Sequence, residues 1–100
     1  MSDVVTLAKK EIMRKELLEI CRTAGEMGAG EKVLKVSAAQ IGLDASAVKD
    51  ELYYLKEKGL LRLETVRNAR LNINRDIYFI TAVGIDYLDG TGPDIPGIGV

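Results

Sequence analysis

The stretch Ser37–Leu61, SAAQIGLDASAVKDELYYLKEKGLL, constrains this chain most. It reads as two helices joined by a tight turn. Ser37 is placed to cap the first, since a serine hydroxyl accepts from a free N–H of the opening turn. Ala38, Ala39 and Gln40 are good helix formers, and Ile41 adds an apolar contact. Gly42 permits a reversal that a side chain would obstruct. Asp44 or Ser46 can cap the second helix. Its apolar positions Val48, Leu52 and Leu55 are spaced by four and three, so they share one face. Gly59 ends it, with Lys56 and Lys58 in the last turn, where cations suit the helix dipole.

The flanks add further elements. Residues 11–24, EIMRKELLEICRTA, form a helix whose stripe runs Met13, Leu17, Ile20 and Ala24, broadened by Leu18 and Cys21. Residues 1–10 are weakly amphipathic, and a separate short helix, a continuation of the next and a frayed end all fit. A second face, Val5, Ala8, Ile12 and Leu18, is available to another copy of the chain. Gly25–Gly30 reads as a flexible connection. Leu60–Val66 alternates, with Leu61, Leu63 and Thr65 opposite Arg62, Glu64 and Val66, the pattern of a half-buried strand. Asp76–Ile80 is a second β-rich run. Between them Arg67–Arg75 reads as a long hairpin tip, because Asn68, Asn72 and Asn74 tolerate turn geometry. Thr81 caps a last helix that ends at Gly90, and a Gly/Pro-rich tail, 91–100, follows.

The residues Ala47, Val48, Leu55, Gly59, Leu60 and Leu61 resemble the small–apolar–Leu–Gly–apolar pattern along the recognition helix of winged-helix proteins. FITAVGIDYL, residues 79–88, is similar to the strand-to-helix exit of many small members. The resemblance reaches from about residue 11 to residue 89. It implies a mainly α fold with a small β-hairpin: a three-helix core in winged helix-turn-helix order, a β-wing and an extra C-terminal helix. It also implies a short strand at Val33–Val36, leading into the second helix. The domain division expected is an N-terminal extension or helix at 1–10, the winged-helix domain at 11–90 and the tail at 91–100.

Composition bounds the chemistry. The 100 residues suffice for one small domain. There is no histidine and one cysteine, which excludes an intrachain disulfide, a Cys/His zinc site, a histidine general base and a Ser-His-Asp triad. No Walker loop or GxGxxG is present. Neither enzyme activity, a cofactor nor a metal is therefore expected, and Cys21 is expected to be a small buried residue. No apolar run is long enough to span a bilayer and no charged-then-apolar leader opens the chain, so a cytoplasmic location is expected.

The net charge is only −1, yet it is unevenly spread. Residues 60–76 carry four arginines against Glu64 and Asp76. Arginine's planar fork suits phosphate and a narrow minor groove. The resemblance then implies a DNA-binding transcriptional regulator, its recognition helix in the major groove and its arginine-rich wing on backbone or minor groove. The expected contacts to double-stranded DNA are Lys35, Ser46, Lys49, Tyr53, Arg67, Arg70, Asn72 and Arg75. A homodimer through the N-terminal helix is expected, since small domains need extra burial. Asp50 and Glu51 would repel phosphate and favour the alternative, a winged-helix protein–protein interaction module without DNA binding.

Overall fold

A computed structural model describes residues 2–91, with side chains from Leu7 onward. Four helices and a three-stranded antiparallel sheet follow in the order α1 (Ser2–Ala24), β1 (Ala29–Gly30), α2 (Glu31–Gln40), α3 (Val48–Glu57), β2 (Leu61–Asn68), β3 (Ile73–Ile80) and α4 (Ala82–Leu88). Residues 2–10 continue α1 without a break. The tail expected at 91–100 lies outside the described residues beyond Thr91.

The core is built from α1 outward. Met13, Leu17, Leu18 and Cys21 are buried against Leu34 and Ala38 of α2, Val48, Leu52 and Leu55 of α3, and Leu60, Leu61 and Tyr78 of the sheet. Helix α1 touches α2, α3, α4, β1 and β3, so a wide arc of it is covered. That corrects one expectation: Leu18 is fully buried within its own chain and cannot belong to a face that meets a second copy. Ala8 and Ile12 remain exposed, while the Val5 side chain lies outside the described ones. Burial pushes the Cys21 thiol up to about 12, because a thiolate in an apolar interior is poorly solvated.

Helix α2 starts seven residues earlier than a Ser37 cap would have it. Gly30 is the N-cap and Ser37 lies inside the helix. The winged-helix resemblance places a short strand at Val33–Val36, but these residues are helical, and Leu34 and Ala38, four apart, are the pair that reaches the core. The sheet instead takes its third strand from Ala29–Gly30, paired to Tyr78 and Ile77 of β3. The segment read as a flexible connection is a 3-10 turn at Gly25–Met27 followed by this strand.

The turns around α3 behave as the sequence suggests. Gly42 has φ +80° and Gly59 φ +77°, conformations that a β-carbon disfavours. The Leu60 N–H donates to Leu55 O at 3.0 Å, closing the end of α3 across Gly59. Asp44 is the cap ahead of α3: its Oδ1 accepts from the Ser46 N–H at 2.9 Å and the Ser46 hydroxyl at 2.6 Å.

The sheet order is β1-β3-β2, and β2 pairs with β3 in register from Leu61–Ile80 to Asn68–Ile73. The hairpin therefore has a four-residue tip, 69–72, where a nine-residue one is expected from the sequence. Backbone pairing continues past the point where the core ends, so the outer strand residues are exposed on both faces. At the hairpin base, Thr81 ties three elements together. Its hydroxyl donates to Gly59 O at 2.6 Å and accepts from the Gly84 N–H at 3.1 Å, and its own N–H donates to Leu60 O at 3.1 Å.

Candidate nucleic-acid interface

The outward face of α3 follows from what the inward face buries. With Val48, Leu52 and Leu55 fully buried, Ser46, Lys49, Asp50, Tyr53 and Lys56 all stand exposed. Ser46, Lys49 and Tyr53 thus lie on one accessible surface, as the sequence suggests. Their availability differs. The Ser46 hydroxyl donates its proton to Asp44, which leaves it acceptor capacity only. That bond and the neighbouring backbone one hold the Asp44 carboxyl below the usual carboxylate range. Tyr53 is 61% exposed, with its hydroxyl bonded to Glu57 one turn on, which raises its pKa, and Lys56 Nζ lies 5.7 Å from its ring. Lys49 carries neither encumbrance among these contacts.

Glu51 corrects the charge argument. It is 5% exposed and turned away from the outward face. Its Oε2 accepts from Arg14 Nε of α1, a buried ion pair, and the Arg14 guanidinium stacks 3.7 Å from the Tyr54 ring centroid. Only Asp50 of the two acidic residues faces solvent at this position. Arg14 escapes a sequence reading focused on surface charge. The signal it leaves is its place inside the α1 stripe, between Met13 and Leu17, where a lone charge needs a partner.

The hairpin separates residues that sequence alone groups together. Paired residues share a face, so Arg67, opposite Asn74, continues the Leu61–Leu63–Thr65 side. Arg75, opposite Val66, lies on the other side with Arg62, Glu64, Ile77 and Phe79. Arg75 reaches back toward β1, its Nη2 being 3.9 Å from where a β-carbon on Gly30 would sit. Arg67 and Arg70 remain at the distal end, and Arg67 Nη2 donates to Asn72 Oδ1 at 3.2 Å. Arg62 is occupied on its own face, 3.0 Å from Glu64 and stacked on Phe79. Lys35 lies on α2, 3.5 Å from Glu31 Oε2. Among the described residues no three His, Cys, Asp or Glu side chains gather to hold a metal ion, and no helix is long and apolar enough to cross a membrane.

No family model matches the chain, and no curated protein sequence does. Its architecture, however, superposes on the X-ray structure of a PadR-like transcription factor from bacteroid fragilis, with a TM-score of 0.66 over 90% of this chain and 84% of that one. The fold is a winged helix. Sequence identity over that match is 17%, so the likeness is one of architecture. In winged-helix terms α2 and α3 are the helix-turn-helix, β2–β3 is the wing and α4 is the added C-terminal helix.

Proposed function

We propose that the chain is a DNA-binding transcriptional regulator, with α3 in the major groove and the wing against the adjacent backbone or minor groove. The observation that carries this reading is the inward turn of Glu51. With that carboxylate paired to Arg14, the outward surface of α3 offers Lys49, Lys56 and Tyr53 against Asp50 and Glu57, and the distal wing adds Arg67 and Arg70. Lys49 and Tyr53 are the side chains for base edges and phosphate; Arg67 and Arg70 supply phosphate contacts. Ser46 chiefly shapes the start of α3, and Arg75 supports the wing from its other face. The likeness to a transcription factor supports the same reading.

The reading includes a homodimer. Leu7 and Ile12 on the N-terminal part of α1 are 51% and 53% exposed, and burying them on a second copy would place two α3 helices on one duplex.

The test is fluorescence anisotropy of the full chain on random duplex DNA across a salt series, with light-scattering mass on the same sample. Binding is expected to weaken linearly in log–log form as salt rises. Arg67→Ala and Arg70→Ala should each reduce the slope by about one, and Asp50→Asn should tighten binding by removing a repelling charge. An absence of binding at low salt, or slopes unmoved by both arginine changes, would overturn this reading in favour of a protein-interaction module.

A further inference from the structure

The wing tip carries apolar side chains that the described residues leave about half exposed or more. Leu71 is 61% exposed, and Val66 and Ile73 behind it are 48% and 47% exposed. A merely solvated hairpin end gains nothing from such residues, and an apolar edge invites aggregation. The tip is also held from both sides. Asn68 Oδ1 accepts from the Leu71 N–H at 3.2 Å, while Arg67 donates to Asn72, which sits at φ +52°. Leu71 is therefore presented on a pinned turn directly between Arg70 and Asn72.

Charge selects the occupant. A second copy docking tip to tip would cover the leucine but bring Arg67 and Arg70 against their own counterparts. A duplex minor groove suits both features, since its negative potential attracts arginine and its base steps accept an apolar wedge. Size agrees as well. The groove is about 6 Å wide, so a paired ribbon with side chains on both faces is too broad and only the tip turn enters.

We infer that Leu71 is a wedge that partly unstacks a base step in the minor groove and bends the DNA. This rests on the DNA-binding reading above and extends it to specificity. Pyrimidine–purine steps unstack most readily, so the wedge selects sequence at positions that no side chain hydrogen-bonds. The arginines alone would select the opposite, the narrow groove of an A-tract.

The experiment compares two duplexes of about 30 base pairs, one of alternating TA, in which every second step is pyrimidine–purine, and one an A-tract, which has none. Both carry end labels for energy transfer and internal 2-aminopurine, and both are titrated with the full chain, Leu71→Ser and Leu71→Phe at low salt. The wild-type chain is expected to bend the TA duplex, raise its 2-aminopurine fluorescence and prefer it by about tenfold. Leu71→Ser should keep the salt slope, lose the bend and the fluorescence, and shift its preference to the A-tract. Leu71→Phe, a fuller wedge, should keep all three signals. Wild-type binding that leaves both duplexes straight, or Leu71→Ser bending as wild type does, would overturn the wedge and leave DNA binding standing. No wild-type binding to either duplex would overturn the DNA reading and the wedge with it.

Discussion

Removing the Glu51 carboxylate tests how α1 holds the recognition helix. The Arg14 and Glu51 side chains are 10% and 6% exposed, far from the exposed regime in which an ion pair contributes about 0.2–1 kcal/mol. Glu51→Ala takes away the carboxylate that pairs with the buried Arg14 guanidinium, a change that costs about 3–5 kcal/mol. Against a domain stability of about 5–15 kcal/mol this is a large share. It corresponds to a fall of about 15–30 °C in Tm for a chain of this size. Arg14→Ala should cost a similar amount by stranding the carboxylate. Replacing both with methionine removes the two charges together and should return stability to within about 1 kcal/mol of wild type. The remaining deficit reflects the lost stacking of Arg14 on Tyr54. Urea unfolding followed by far-UV circular dichroism measures wild type, both single variants and the double. A Glu51→Ala cost below about 1 kcal/mol would refute the reasoning. So would a double variant whose loss equals the sum of the singles. Glu51 would then be solvated, and its charge would count against a phosphate partner.

Two further outcomes are expected. A β-carbon at Gly84 would lie 2.5 Å from Leu60 O, a backbone atom that cannot step aside, so Gly84→Ala should lower stability by about 1–3 kcal/mol in the same unfolding assay. Cys21 keeps its proton in the folded state up to about 12, against 9.0 for an ordinary thiol. Above pH 9 the unfolded chain releases a proton that the native one retains, so this contribution to stability is whole below pH 9 and lost as pH rises, by about 1.4 kcal/mol per unit. Cys21→Ala should flatten the stability–pH curve between pH 9 and 11, and an unchanged slope would show that the thiol is not shielded.

Much of the architecture is legible in local pattern because it depends on local chemistry. Gly42 and Gly59 mark the ends of α2 and the close of α3, the four–three spacing of Val48, Leu52 and Leu55 picks the buried face, and Thr81 caps α4. What sequence misreads depends on partners far along the chain. The strand expected at Val33–Val36 comes from the family resemblance, yet the register of α2 is chosen by Leu34 and Ala38 meeting a core assembled from other elements. The outer wing has no interior beneath it, so burial leaves no alternation from which to read Ile73–Arg75 as strand; only backbone pairing keeps them extended. Glu51 looks like surface charge until Arg14, 37 residues away, is brought beneath it.

The Thr81 junction also says something about how this molecule can change. The end of α3, the first pair of the hairpin and the start of α4 meet at Gly59, Leu60, Thr81 and Gly84, all at the root of the hairpin and away from its tip. The bearing of the wing relative to α3 is therefore decided at its root, by hydrogen bonds that no tip residue enters. Residues 69–72 are in effect an exchangeable bit in a fixed chuck. Lengthening, shortening or rewriting that loop alters reach and chemistry at the far end while leaving the helix-to-wing angle alone, so the tip can be changed without rebuilding the domain that holds it.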